Sequence, residues 1–116
     1  MYLYVWAFDV PDEHRSAFER AYGPEGEWVA LFRRAAGYRS TRLLRLRDGR
    51  YLTIDEWESL SCYEDFRSTF AGEYEALDAR SAHMTLAEER LLALDGEEVG
   101  GGSGPRSGGR DDEARR

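Results

Sequence analysis

The sequence contains no lysine, no asparagine and no glutamine, so arginine and two histidines supply all of its side-chain cations. These absences exclude a lysine Schiff base and any side-chain amide from the chemistry of the protein. Cys62 is the only cysteine, which excludes an intrachain disulfide and a metal site built from several thiolates. No apolar run approaches the roughly 18 residues of a membrane span, and no signal-segment pattern opens the chain, so we expect a cytoplasmic protein.

Length and charge indicate one small acidic domain. The chain has 116 residues and a formal net charge of −7, which argues against nucleic acid or an anionic membrane as a partner. From Gly96 onward, Val99 is the only large aliphatic residue, so residues 96–116 are predicted to be a disordered tail of Gly, Ser, Arg and acidic residues. Residues 1–95 would then form one domain, small enough to gain stability by dimerising.

The most informative stretch is a predicted β-hairpin over residues 38–57. Two runs of aromatic, β-branched and aliphatic residues flank Asp48-Gly49, a pair typical of a tight hairpin turn. Alternation along the second arm places Leu52, Ile54 and Glu56 on one face. The opposite face carries Tyr51, Thr53, Asp55 and Trp57. Since one apolar face is enough to anchor a strand, the polar groups of the second face are candidates for function.

The rest of the pattern predicts the order β-α-β-β-α-β. Residues 1–8 read as a central strand that is apolar on both faces. Pro11 opens a helix that ends at Gly23-Pro24, and a second helical segment is predicted from about residue 25 to 36, before Gly37. This order is typical of the α+β ferredoxin-like unit, a four-stranded antiparallel sheet with helices on one face. A second copy is the simplest cover for the other face.

The second half of the chain is predicted to hold a broken helix and a last strand. Ser59 or Ser61 can cap the helix, and Gly72 interrupts it. The spacing of Thr85 and Glu88 matches a capping box and predicts a short helical turn. The last strand is predicted over residues 89–95.

A series of short motifs runs through residues 1–95. They are Tyr22-Gly23-Pro24 with Gly26 and Trp28, Leu31-Phe32-Arg33 ahead of Gly37-Tyr38, Arg50-Tyr51-Leu52 ahead of Asp55 and Trp57, and Tyr63, Phe66, Tyr74 and Thr85 with Glu88. In order and spacing they resemble the antibiotic biosynthesis monooxygenase family of the dimeric α/β-barrel superfamily. The resemblance implies a homodimer with a cavity between sheet and helices in each subunit.

The resemblance also implies an activity, because some members of this family oxidise polyaromatic phenols with molecular oxygen and need neither metal nor flavin. Other members cleave haem, and many have no known activity. The family pattern often places an Asn and a Trp in the site. Trp57 can match the Trp, whereas no residue here can match the Asn.

The candidate catalytic residues are His14, Asp55 and Trp57. A carboxylate on a covered strand face has a raised pKa unless it is paired, which suits a general base, and a histidine titrates near neutral pH. Trp57 could line the cavity and donate its indole N–H. The simpler alternatives are a solvated surface histidine for His14, core packing for Trp57, and an interface ion pair between Asp55 and one of the hairpin arginines, Arg39, Arg42, Arg45 or Arg50.

Aromatic side chains supply the candidate substrate-binding set, with core packing as the alternative for each. The set comprises Tyr4, Trp6, Trp28, Phe32, Tyr51 and Phe66. His14 and His83 lack a recognisable metal-ligand spacing, so we predict no metal site. The family resemblance implies that the protein needs no cofactor.

Three hypotheses follow for function. The first is a cofactor-independent monooxygenase acting on a small aromatic or polycyclic phenol. The second is a non-catalytic dimeric module that binds a hydrophobic ligand or supports a partner. The third, which we rank last, is haem binding through a histidine.

Overall fold

The computed structural model describes residues 1–100, so most of the predicted tail, residues 101–116, lies outside the described residues. The elements in chain order are β1 (Tyr2–Asp9), a 3-10 turn (Asp12–His14), α1 (Arg15–Tyr22), α2 (Glu27–Phe32), β2 (Tyr38–Arg45), β3 (Tyr51–Trp57), α3 (Leu60–Thr69), α4 (Ala71–Ser81), a 3-10 turn (Ala82–Met84) and β4 (Ala87–Asp95).

The four strands form one antiparallel sheet in the order β2-β3-β1-β4, so β1 and β3 are the central strands. This is the predicted ferredoxin-like α+β fold, and the prediction is confirmed. The residues of β3 alternate between buried and half-buried, and the buried set is Tyr51, Thr53, Asp55 and Trp57. The mixed polar face of the hairpin is therefore the face that the helices cover.

The hairpin loop is longer than the predicted two-residue turn. The Gly49 amide donates to the Leu46 carbonyl at 3.0 Å, and the Leu46 amide donates to the Arg50 carbonyl at 2.7 Å. Gly49 has a φ of 92°, a left-handed conformation that glycine adopts without strain. A turn followed by one left-handed glycine matches the twist of the flanking strands, which explains why the chain adopts it.

Two of the predicted helix boundaries need correction. Helix α2 ends at Phe32 rather than near residue 36, and the long helix breaks between α3 and α4 at Phe70, with Gly72 inside α4. Ser59 caps α3 as predicted, since its hydroxyl accepts the Cys62 amide at 3.1 Å.

The predicted helical turn at Thr85 is wrong. The Leu86 amide donates to the Asp9 carbonyl at 2.8 Å, and β4 begins at Ala87 opposite Asp9. Pairing with the central strand β1 satisfies these backbone groups, and it outcompetes the local capping-box signal of Thr85 and Glu88.

The chain is tightly packed at Gly37, which has a φ of 88°. A Cβ at this position would lie 2.5 Å from Cys62 Sγ and 2.6 Å from Cys62 Cβ. Gly37→Ala should therefore lower the free energy of unfolding by about 2–4 kcal/mol, through backbone strain and overpacking together. Urea denaturation followed by circular dichroism measures this loss.

Gly72→Ala is the matched control for that prediction. A Cβ on Gly72 meets nothing within 4 Å, and the residue lies inside α4. Alanine should stabilise the helix there by up to about 1 kcal/mol. Equal effects of the two substitutions would contradict the role given to the Gly37 conformation.

Candidate functional site

A cavity of about 350 Å³ lies between the sheet and the helices. Its size falls within the range of small-molecule sites, and its wall combines aromatic faces with a few polar groups, as such sites do. The lining residues are Tyr4, Trp6, Phe8, Tyr22, Trp28, Phe32, Thr41, Thr53, Asp55, Tyr63, Arg67, Tyr74, Asp78 and Glu88. Strands β1, β2 and β3 thus supply the floor, and the helices supply most of the rest.

Asp55 is the buried carboxylate on that floor, with only 5% of its surface exposed. The Thr41 hydroxyl donates to Asp55 Oδ1 at 2.5 Å, and the Tyr38 hydroxyl donates to Thr41 Oγ1 at 2.8 Å. Burial raises the pKa of Asp55 to about 6, although the hydrogen bond from Thr41 acts to lower it. A carboxylate with this pKa can accept a proton from a ligand near neutral pH.

Tyr4 lies directly opposite Asp55 in the register of β1 and β3. Its hydroxyl accepts a hydrogen bond from the Trp57 indole Nε1–H at 3.3 Å. Burial, followed by the negative charge of Asp55, raises the pKa of Tyr4 well above its usual range. Tyr4 therefore stays neutral and keeps its own proton available for a ligand oxygen.

The helical side of the cavity carries charges of both signs. Arg67 of α3 donates to the Tyr63 hydroxyl at 3.1 Å, and its guanidinium carbon lies 3.9 Å from the centre of the Tyr74 ring. Asp78 and Glu88 also border the cavity. Burial, with a contribution from the charge of Asp78, raises the pKa of Glu88. A ligand therefore meets one cationic group and one acidic group on the helices, and a second acidic group on β4.

The structure brings part of the predicted site together. Asp55 borders the cavity, and so do the predicted binding residues Tyr4, Trp6, Trp28 and Phe32. The cavity persists although Trp28 and Phe32 pack in the core around it. Filling of this space by core side chains would have excluded a ligand site here.

Four other predicted residues do not border the cavity. Trp57 is fully buried behind Tyr4, and Phe66 packs against Trp57 with ring centres 5.1 Å apart. Tyr51 lies beside α1, where its hydroxyl donates to Glu19. His14 lies in the 3-10 turn before α1, with its ring 5.6 Å from that of His83 in an edge-to-face arrangement.

Among residues 1–100 of the chain, no hairpin arginine forms an ion pair with Asp55. Asp55 lies on the helix-covered face and bonds to Thr41. Three of the four candidate arginines pair elsewhere: Arg39 with Glu56, Arg45 with Glu19, and Arg50 with Asp48. The period of the strand assigns Asp55 to a face but does not show which face the helices will cover.

Sequence reasoning missed Arg67 and Asp78, the charged residues of the helical wall of the cavity. Tyr63 and Arg67 are four residues apart, as are Tyr74 and Asp78, so each pair lies on one face of its helix. That spacing was a usable signal for a shared surface. Glu88 gave no comparable signal, because its place depends on where β4 joins the sheet.

Residues 1–100 contain neither a candidate metal site nor a helix that could span a membrane. No cluster of three or more His, Cys, Asp or Glu side chains in this part of the chain is arranged to hold a metal ion. None of its helices has the length and apolar character needed to span a membrane.

The model of the antibiotic biosynthesis monooxygenase family matches residues 1–88, whereas no curated protein matches at a significant level. SnoaB, a cofactor-independent oxygenase from Streptomyces nogalater, has a similar structure, with a TM-score of 0.61 and 20% identity over 86% of this chain and 96% of that one. The ActVA-Orf6 monooxygenase of Streptomyces coelicolor, in complex with nanaomycin D, gives a TM-score of 0.62 and 19% identity over 84% and 88%. A proposed antibiotic biosynthesis monooxygenase from Deinococcus radiodurans gives 0.67 and 13% over 85% and 95%.

Identities this low show a shared fold and no more. The family model, in contrast, covers most of the sequence. On that match, the chain belongs to the antibiotic biosynthesis monooxygenase family.

Proposed function

We propose that the protein is a cofactor-independent monooxygenase that oxidises a small aromatic or polycyclic phenol with molecular oxygen. The observation that carries this proposal is Asp55, a carboxylate with a pKa of about 6 on the floor of an aromatic cavity of about 350 Å³. A flat aromatic ligand suits the walls formed by Trp6, Trp28 and Phe32, because ring faces and edges attract one another.

The proposed reaction begins with proton transfer from the phenol to Asp55. The phenolate then gives one electron to O₂, and the resulting phenoxyl radical and superoxide combine into a peroxide on the ring. The peroxide takes up one proton from water, equivalent to the proton given to Asp55, and then loses water together with the ring hydrogen at the attacked carbon. This leaves a carbonyl on the product, so one oxygen atom enters the product and the other leaves as water. The substrate supplies all the electrons. Tyr4 and Arg67 supply a hydrogen-bond donor and a positive charge for the anionic oxygens formed on the way.

The proposal is tested with protein that has been dialysed against EDTA. We expect oxygen uptake with anthrone-type and naphthol-type phenols, and incorporation of one ¹⁸O atom per product molecule from ¹⁸O₂. Uptake should fall to the background rate when the phenol is replaced by its methyl ether, because the ether has no proton to give to Asp55. Equal rates with the phenol and the ether, or uptake that depends on an added metal or flavin, would contradict the proposal.

A non-catalytic binding module is the competing function, and the same cavity would serve it. Trp6 and Trp28 border the cavity, so their fluorescence reports occupancy by a ligand. Quenching of this fluorescence by the phenols, without oxygen uptake at any pH from 5 to 9, would favour the binding module.

We further propose that the protein is a homodimer joined through the open sheet face. Leu92 is paired with Val5 and Leu94 with Leu3, on the face opposite the helices. Leu92 is 43% exposed and Leu94 is 53% exposed, although both belong to a sheet. Apolar side chains clustered on an uncovered sheet face are typical of an interaction surface.

Leu92→Arg should convert this dimer into a monomer, because the new charge would be buried in an apolar interface without a partner. Light scattering coupled to size-exclusion chromatography measures the mass. Leu86→Arg is the control, since Leu86 is 77% exposed but precedes β4. The homodimer proposal fails if the wild-type protein runs as a monomer at micromolar concentration.

A further inference from the structure

We propose that Thr41 and Tyr38 form a proton path that connects Asp55, at the floor of the cavity, with the outside of the sheet. This inference rests on the proposed function, since it gives the proton taken from the phenol a way out. Its basis is a continuous chain of hydroxyls: Tyr38 Oη to Thr41 Oγ1 at 2.8 Å, and Thr41 Oγ1 to Asp55 Oδ1 at 2.5 Å. Neither bond involves the ligand.

An irregularity in β2 makes this chain possible. Tyr38 and Thr41 are three residues apart, so in a regular strand their side chains would point to opposite faces. The register slips between Tyr38 and Ser40, since Tyr38 pairs with Trp57 and Ser40 with Glu56, which leaves Arg39 as an extra residue. This β-bulge returns Tyr38 to the face of Thr41, and re-aiming a side chain is a recognised role of such bulges.

The two hydroxyls also lie at different depths. Thr41 pairs directly with Asp55 and borders the cavity. Tyr38 does not border the cavity; it is half-buried at the start of β2, an edge strand of the sheet. The Tyr38 ring packs against Phe32 and Trp57, with ring centres 5.6 and 5.5 Å apart. These contacts fix the position of the ring and so the position of its hydroxyl. The chain therefore runs from the cavity toward the sheet edge.

A filled cavity creates the need for such a path. Asp55 is 5% exposed even in the absence of a ligand, so a bound aromatic ring would separate it from bulk water. A proton captured by Asp55 passes to Thr41 Oγ1 as the Thr41 proton passes to Tyr38 Oη and the Tyr38 proton passes to water. Each hydroxyl gains one proton and loses one, and the carboxylate is regenerated. In the observed hydrogen bonds, Tyr38 donates to Thr41 and Thr41 donates to Asp55. This is the arrangement that outward transfer leaves behind, and Asp55 is then ionised and can accept the next proton.

The electrostatic surroundings of Asp55 identify the groups that any titration must consider. Tyr4 of β1 and Tyr38 of β2 both have pKa values raised by burial first and also by the charge of Asp55. From the helical side, Tyr63 and Arg67 of α3 and Tyr74 and Asp78 of α4 face the same cavity.

The first test needs no enzymatic activity. The ¹³C chemical shift of the Asp55 carboxyl carbon is followed against pH in the wild type, Thr41→Val, Thr41→Ser and Tyr38→Phe. Loss of a hydrogen bond to the ionised carboxylate should raise the Asp55 midpoint by about one to two pH units in Thr41→Val. The serine variant keeps a hydroxyl and should restore the wild-type midpoint. An unchanged midpoint in Thr41→Val would overturn the proposal, whatever the protein does with oxygen.

The second test measures proton release with 4-nitrophenol, whose ionisation is visible by absorbance. Protein and probe are mixed without oxygen in weak buffer containing a pH indicator. In the wild type, release of the proton to the indicator should keep pace with ionisation of the bound probe. In Tyr38→Phe, release should lag behind ionisation by at least about tenfold, because the phenyl ring cannot pass a proton on.

Controls separate the path from general damage to the site. Ser40→Ala changes an exposed hydroxyl next to Thr41 and should release protons as the wild type does. Equal release rates in the wild type and Tyr38→Phe would overturn the path, and so would failure of the wild type to ionise the probe. Because oxygen is absent throughout, failure of the proposed oxidation would leave these results standing.

Discussion

Asp55→Asn is expected to lower kcat/KM for phenol oxidation by about 100- to 10,000-fold, the range attributed to a general base. Asparagine has nearly the shape of aspartate and can still accept the Thr41 hydrogen bond, so the cavity should stay intact. The variant loses only the ability to take a proton. Oxygen uptake at saturating and subsaturating phenol measures the loss.

The pH profile gives the same assignment a second test. Asp55 acts as a base only when ionised, so the wild-type kcat/KM should rise with pH and level off above about 6. The substrate for this measurement should be a phenol that ionises above pH 9. Asp65→Asn, the same chemical change at an exposed position of α3, should leave rate and profile unchanged. If His14→Ala loses activity and Asp55→Asn keeps full activity, the general base is His14 and not Asp55.

The second large expected effect is on stability. Asp55→Asn should lower activity but raise the free energy of unfolding at neutral pH. Burial raises the pKa of Asp55 from 3.8 to about 6 in the folded protein. The folded state therefore holds its proton more tightly, and stability falls as pH rises through the window between these two values. A shift of this size corresponds to about 3 kcal/mol lost by the wild type above pH 6.

The asparagine variant does not ionise and escapes this loss. Its melting temperature should exceed that of the wild type by on the order of 10 °C at pH 7.5, and by much less at pH 3.5. Thermal denaturation at both pH values measures the difference. A variant that is less stable than the wild type at pH 7.5 would show that the ionised carboxylate is well solvated or paired in the folded protein, and would remove the basis for a raised pKa.

The fold was largely predictable because its signals are local and repeated. The strict alternation of Tyr51 to Trp57 defined β3 and its faces, and Ser59 marked the start of α3. The error at Thr85 and Glu88 has the opposite origin. A capping-box spacing is a local preference, and the backbone of β1 offered these residues a better set of hydrogen bonds.

Only those residues of the candidate site that lie on strands could be predicted, because side-chain alternation along a strand assigns each residue to a face. Asp55 and Tyr4 could be assigned to strand faces from periodicity alone. Arg67 and Asp78 could not be assigned to the cavity, because their place depends on how α3 and α4 pack on the sheet. The alignment of Tyr38 with Thr41 was hidden as well, since the bulge at Arg39 reverses what their spacing implies.

Thr41, Asp55 and Tyr4 stand side by side in one row across β2, β3 and β1. Backbone hydrogen bonds hold Asp55 and Tyr4 on both sides, because their strands are the two central ones. The proposed base and its two neighbours therefore stand on paired strands of the sheet, whereas Arg67, Tyr74 and Asp78 stand on helices. Substitutions on the helices can change which ligand is accepted while the row beneath keeps its geometry. A fold divided in this way can acquire new substrates one helix residue at a time without rebuilding its reactive centre.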